Sequence, residues 1–315
     1  MNMLLIIILT LLPLSITQAA QDNHLLTTQL KHCQSIADNQ LRLNCYDQIN
    51  QQTDDIKESE VKGHKTGQFP NLIADLDEAN LYISYGKLDF LGRDFNAVLF
   101  GGGVRQSVQT FQWAEHKPLT FNVFGQIRSQ FDVSELDTRN NRGGALINTD
   151  FSVGGELVQS LDHWNWRLSY THRSTHLGDE FIIDNQNYLE ERLNLSYETV
   201  KWTVHKPVNH WDLYAGVGLV TRSEPGNLDK VMWQLGWQYA GSKWHGFKPV
   251  LGVDLKSWGA YDWNINANIR AGVEIDQWTD KPFQLLFEYQ DGHSPYGQFY
   301  NEDLTFTGLT FLQNW

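Results

Sequence analysis

The stretch Trp263-Asn-Ile-Asn-Ala-Asn-Ile-Arg-Ala-Gly-Val-Glu-Ile275 decides the fold. Trp263, Ile265, Ala267, Ile269, Ala271, Val273 and Ile275 share one parity, and Asn264, Asn266, Asn268, Arg270, Gly272 and Glu274 share the other. Successive strand side chains point to opposite faces, so this segment reads as a strand with one apolar and one polar face. The same split returns in Leu119-Phe121-Val123-Gly125-Ile127 against Asn122, Gln126 and Arg128. It returns again in Val231-Trp233-Leu235-Trp237-Tyr239 against Gln234 and Gln238, and in Phe283-Leu285-Phe287-Tyr289 against Gln284 and Glu288. Strands of soluble sandwiches average roughly 5–6 residues. These run to about ten, the length of a tilted strand crossing a bilayer.

Working outward, strands are predicted near residues 81–89, 98–112, 119–131, 147–158, 163–174, 190–201, 211–221, 231–240, 247–258, 263–275, 283–290 and 303–312, about twelve in all. An even count with both ends on one side is the plan of an outer-membrane β-barrel. The connections near 113–118, 159–162, 202–210, 241–246 and 276–282 are short, and those near 132–146, 175–189, 222–230 and 291–302 are mostly longer and polar. Short turns face the periplasm and long loops face outward. Leu309 and Phe311 lead to a terminal Trp315. That ending resembles the aromatic carboxy-terminal signal by which barrel-assembly machinery receives outer-membrane proteins.

Composition excludes other classes. A net charge of -13 speaks against nucleic acid, whose phosphates need a basic face. A helical membrane protein is excluded because only the first 20 residues carry a run of the required kind. Residues 1–20 read as a secretory signal peptide, preferred over a membrane anchor because the apolar run is shorter than a span needs. Cys33 and Cys45 are the only cysteines. In an oxidising periplasm they are expected to pair and clamp a helical cap, which with its polar linker occupies residues 21–68. The barrel is expected over 69–315.

One constellation carries chemical meaning. In the strand predicted over 163–174, Trp164, Trp166, Leu168, Tyr170, His172 and Ser174 share the apolar, lipid-facing parity. In the next strand Glu191, Leu193, Leu195 and Tyr197 share a parity, and pairing Leu168 with Leu195 sets Glu191 across from His172. The three residues then read as nucleophile (Ser174), base (His172) and orienting carboxylate (Glu191) on the outer wall. An unpartnered carboxylate facing lipid is costly, which favours such a pairing. The bland reading is a polar cluster at the rim that binds lipid head groups.

His-x-Ser on a barrel wall resembles outer-membrane phospholipase A and the lipid A deacylase, which use His-x-Ser with Asn or Glu on the adjoining strand. Glu191-Arg192-Leu193 sits where the phospholipase has Asn-Arg-Leu, although Thr175-His176 replaces the Asn-Gly that follows its serine and the loop before Glu191 is longer. The resemblance implies a lipid acyl-ester hydrolase and control by dimerisation, hence a homodimer. A resemblance over nearly the whole mature chain rests on Leu72-Ile73-Ala74-Asp75, His172 to Phe181, Arg192 to Glu198, Gly252 to Trp258 and Asp291 to Tyr300. These stretches are similar to the domain of unknown function 1207 family of bacterial exported proteins, which implies the exported barrel and assigns no activity.

No cofactor is assigned. Asp179 and Glu180, with His176 beside them, offer oxygen ligands for Ca2+, against the plainer reading of a solvated loop. Asp291, His293 and Tyr296 mark a second outer loop, expected either to cover the lumen or to shape a lipid site. Asp254, Lys256, Arg270, Glu274, Arg192 and Glu198 share the inward parity and are expected to pair within a narrow lumen. Trp164, Trp202, Trp211, Trp263 and Trp278 are expected to form aromatic girdles at strand ends. The rival function is a non-enzymatic barrel, either a narrow channel or an envelope structural protein.

Overall fold

A computed structural model describes residues 33–36, 38, 40, 42–47, 69–112, 117–134, 144–161, 163–184, 195–276 and 281–313. The chain divides into two compact units, Met1–Lys65 and Thr66–Trp315. In the first, residues 42–47 are helical, and Cys33 and Cys45 form a disulfide with their Cα atoms 5.6 Å apart. The signal-peptide and linker residues, and Trp278 and Trp315, lie outside the described residues.

The second unit is a closed antiparallel barrel of twelve strands in sequence order. They are β1 (Leu81–Phe90), β2 (Arg93–Gln112), β3 (Pro118–Asp132), β4 (Ala145–Ser160), β5 (Asn165–Leu177) and β6 (Ser196–Val208). The circuit continues with β7 (Trp211–Glu224), β8 (Val231–Ala240), β9 (Phe247–Trp258), β10 (Ile265–Ile275), β11 (Phe283–His293) and β12 (Asp303–Gln313). Closure falls between β1 and β12, where Gly86 pairs with Gly308. A Cβ on Gly86 would run into the Thr307 carbonyl, so this seam needs bare backbone.

The outer wall is apolar. Leu309 is 69 % and Val104 63 % exposed, values that make sense for side chains meeting lipid rather than water. Trp164, Trp211 and Trp263 are outward near strand ends, whereas Trp202 stands within β6. Among the described residues, no helix is long and apolar enough to cross a membrane.

The inner wall is divided. Across β12, β1 and β2 it is apolar, with Leu88, Phe90, Phe95, Leu99, Phe306 and Leu312 in one core. Elsewhere it is polar, and its charges pair as their parity requires: Lys248 with Glu274, Lys256 with Asp254, Arg270 with Glu288. Residues preceding β1 fill the lumen. Leu72 and Ile73 are buried inside the barrel, Arg270 Nη1 donates to the Ile73 carbonyl at 2.8 Å and Asn268 Nδ2 to that of Ala74 at 2.8 Å.

The main correction concerns β6. It begins at Ser196 rather than near residue 190, and Leu168 pairs with Trp202 rather than with Leu195. The residue across from His172 is therefore Glu198 and not Glu191. Leu195 lies just before the strand and is buried beside Val220, Leu228 and Trp258. Thr203 and His205 continue the true strand with their side chains inward and buried, which makes residues 202–208 look like a polar turn in sequence. Arg192 and Glu191 lie outside the described residues.

Candidate functional site

His172 and Ser174 occupy the outward parity of β5, between buried inward residues such as Ser169 and Thr175. They stand near its loop end, with Val153 and Phe151 of β4 across from them. On the other side, β6 sets Glu198 beside His172 and Ser196 beside Ser174. Glu198 was expected to point inward. It points outward, and its Oε1 lies 3.1 Å from His172 Nδ1.

The cause is the register of β6: Tyr197 and Thr199 on either side of Glu198 face the lumen, so Glu198 takes the outward parity of Val200 and Trp202. The β6–β7 ladder slips beside it, Glu198 facing Arg222 and Thr199 facing Val220, and the extra residue, Thr221, belongs to β7. The imidazole is 43 % exposed and the carboxylate 14 %, so the pair is open on its histidine side and covered on its glutamate side. An Nδ1–H held by Glu198 leaves Nε2 as the basic nitrogen. Among the described residues Ser174 and His172 share no hydrogen bond. Two positions along one strand face separate them, about 6.6 Å of rise.

The other expected positions divide between rim and lumen. His176 is still in β5, edge-on to Phe151 at 5.7 Å. Asp179 and Glu180 open the short helix Asp179–Asp184 and are exposed. Among the described residues no three His, Cys, Asp or Glu side chains gather as a metal site would need. Asp291 accepts from Thr305 Oγ1 at 3.0 Å, and His293 meets Asn264 at 3.0 Å and Asp303 at 3.3 Å. Tyr296 goes inward: it is buried, stacked under Arg128 and bonded through its hydroxyl to the Ser129 carbonyl. The loop 294–302 thus folds into the lumen, with Phe299 against Phe90 and Phe181.

The sequence reading missed the role of Asp75, Asp77 and Glu78. These three carboxylates tie the luminal segment to five strands. Asp75 meets Lys256 and Lys201, Asp77 meets Arg128, Arg173 and Lys256, and Glu78 meets Arg105 and Arg167. Burial pushes the Asp75 carboxyl up, but the ammonium groups of Lys256 and Lys201 outweigh it and hold it below the usual carboxylate range. Against the same burial, Arg173, Lys256 and Arg128 hold Asp77 well down, and Arg105 and Arg167 hold Glu78 down. Acid residues spaced one or two apart just before the first strand were the available signal.

Comparison with solved structures places the fold. Outer membrane phospholipase A from Escherichia coli matches with a TM-score of 0.54 and 13% identity, over 78% of this chain and 96% of that one. The Salmonella typhi outer membrane phospholipase dimer with bound calcium matches with a TM-score of 0.53 and 13% identity, over 75% and 91%. These likenesses establish the outer-membrane barrel fold. No curated protein matches in sequence. The family model described as "Protein of unknown function (DUF1207)" matches residues 51–314, and the chain belongs to that family.

Proposed function

We propose that this barrel hydrolyses acyl esters of membrane lipids at its outer wall, with Ser174 as nucleophile, His172 as base and Glu198 in the orienting position first assigned to Glu191. The observation that carries the reading is the 3.1 Å contact between His172 Nδ1 and Glu198 Oε1 on a face otherwise built for lipid. Ser174 Oγ attacks the ester carbonyl carbon while His172 Nε2 takes its proton, and Glu198 stabilises the imidazolium. The imidazolium then protonates the departing alkoxide, leaving an acyl-serine that water hydrolyses by the same route. Closer approach of Ser174 to Nε2 belongs to the substrate-bound state, since catalytic hydrogen bonds often tighten only there.

The likeness to outer membrane phospholipase A supports the reading by analogy of fold. The loop end is assigned to the cell surface and residues 21–68 to the periplasm, because β1 begins and β12 ends on the side of the shorter turns. A homodimer and recognition of Trp315 by the assembly machinery are parts of the same proposal. The filled lumen weighs against the rival open channel. No step is routed through calcium.

The test is release of fatty acid from mixed phospholipid and lipid A micelles by the refolded protein, with and without Ca2+. The reading expects turnover that Ser174→Ala and His172→Ala abolish. Turnover unchanged by Ser174→Ala, or none from folded protein, rejects it.

A further inference from the structure

On the outer wall, β5, β6 and β7 carry their residues in cross-strand rows. His172 faces Glu198, and Glu198 faces Arg222. Directly opposed residues of antiparallel strands point to one side of the sheet, so Arg222 shares the outer face with the pair, and it is exposed. The next row toward the loop end holds Ser174, Ser196 and Glu224. The two rows below are apolar: Tyr170, Val200 and Leu219, then Leu168, Trp202 and Val217.

Two observations set Arg222 apart. First, no acid meets it. Glu198 turns its Oε1 to His172 at 3.1 Å, and among the described residues Arg222 has no ion pair or hydrogen bond. A guanidinium above an apolar wall is costly in hydrocarbon and calls for an anion at head-group level. Second, its height suits one. Asn165, the first residue of β5, pairs with His205, whereas β6 runs on to Val208. Leu81, the first of β1, likewise pairs with Gly102, whereas β2 runs on to Gln112. Rows therefore climb toward the loop end on passing from β5 to β7. With strands tilted by roughly 40° and about 4.8 Å apart, Arg222 stands about 6 Å higher than His172. Ser174, two residues along β5, gains about 5 Å. Nucleophile and guanidinium thus lie at nearly one height, their Cα atoms on the order of 12 Å apart along the wall.

We infer that Arg222 binds the phosphate of the lipid whose ester Ser174 attacks, an inference that rests on the hydrolase reading. In a glycerophospholipid the phosphate and the acyl esters sit on neighbouring carbons at the polar end of the chains. The chains run down over Tyr170, Leu219, Trp202 and Val217, the ester meets Ser174, and the phosphate accepts paired N–H donors from the guanidinium. Lipid A carries the same phosphate ester chemistry on its sugar, whereas a neutral acylglycerol offers Arg222 nothing. Because the phosphate does not react, Arg222 is a positioning residue: it sets which lipids bind, and its loss raises KM rather than lowering kcat.

The experiment measures KM and kcat for the refolded full chain and its Arg222→Ala and Arg222→Lys forms in lauryldimethylamine oxide micelles. Dioctanoylphosphatidylcholine is compared with dioctanoylglycerol, and lipid A with its dephosphorylated form. Arg222→Ala should raise the ratio of the phosphorylated to the neutral KM about tenfold, the loss of one charge-assisted contact, with kcat nearly held. Arg222→Lys should recover part of it. A shift in the first ratio identifies a glycerophospholipid as the source of the phosphate, and a shift in the second identifies lipid A. Binding is read separately in the Ser174→Ala form by phosphorus NMR line broadening of dihexanoylphosphatidylcholine, which Ser174→Ala/Arg222→Ala should largely abolish. Broadening that depends on Arg222, from a wild type that releases no fatty acid, upholds the phosphate site and rejects the hydrolase reading alone. Both ratios unchanged in an active enzyme, or broadening absent or unchanged in an inert one, overturn the inference. Heat-dependent gel mobility reports folding, and Arg222→Gln replaces Arg222→Ala if the latter lowers the folded fraction.

Discussion

His172 of β5 and Glu198 of β6 are direct cross-strand neighbours, joined Nδ1 to Oε1 at 3.1 Å on the outside of the barrel. The carboxylate fixes which imidazole nitrogen carries the proton and so leaves Nε2 as the basic nitrogen. Glu198→Gln keeps the shape but offers an amide in place of a charge. It is expected to lower kcat on the order of 100-fold with little change in KM. Glu198→Asp should recover part of the loss, and Glu191→Gln should cost little. Steady-state fatty-acid release from the three variants checks this.

The luminal segment makes a second prediction. Asp75 is buried against Lys256 and Lys201, and removing one partner of a buried pair costs about 3–5 kcal/mol. Asp75→Ala should therefore lower the unfolding midpoint, and Asp75→Asn combined with Asp77→Asn should loosen the segment from the wall. Planar-bilayer recordings are expected to show a closed wild type and a conducting double variant.

The same carboxylates set an acid limit. Asp75, Asp77 and Glu78 titrate lower in the folded barrel than in the unfolded chain, because neighbouring cations outweigh burial. Their stabilisation is complete above the unfolded values, near about pH 4, and is lost as pH falls through the folded values beneath them. Thermal midpoints followed by circular dichroism should stay level down to roughly pH 5 and then decline. The carboxamide variant Asp75→Asn/Asp77→Asn should show a shallower decline.

At the closing seam, Gly86 faces Gly308 with no room for a side chain. Overpacking in a fitted site costs about 1–3 kcal/mol, and more where backbone is the obstacle. Gly86→Val should leave the chain largely in its unfolded gel position after refolding, whereas Gly92→Ala, at a turn where nothing lies within 4 Å, should fold with only the cost of its positive φ.

The barrel was legible in the sequence because period-two alternation directly records which face meets lipid, as in Ile265 to Ile275. His172 and Ser174 were legible for the same reason, being polar residues in an apolar row. Their partner was not. A register is set by strand ends, and the mouth residue Leu195 imitates a strand while the luminal Thr203 and His205 disguise one. Residues 69–80 carry no periodicity, since each side chain meets a different part of the wall, and only the folded ladder brings Lys256, Arg173 and Arg105 to their three carboxylates. The ring contacts of Trp258 with Tyr197 and Tyr300 likewise join distant segments.

The most direct test of the account is fatty-acid release from phospholipid and lipid A micelles by refolded wild type beside Ser174→Ala, each shown to be folded by its heat-dependent gel mobility. The account predicts turnover by the wild type and a fall of at least about 100-fold in the variant. Equal release by both, or none by either, would contradict it.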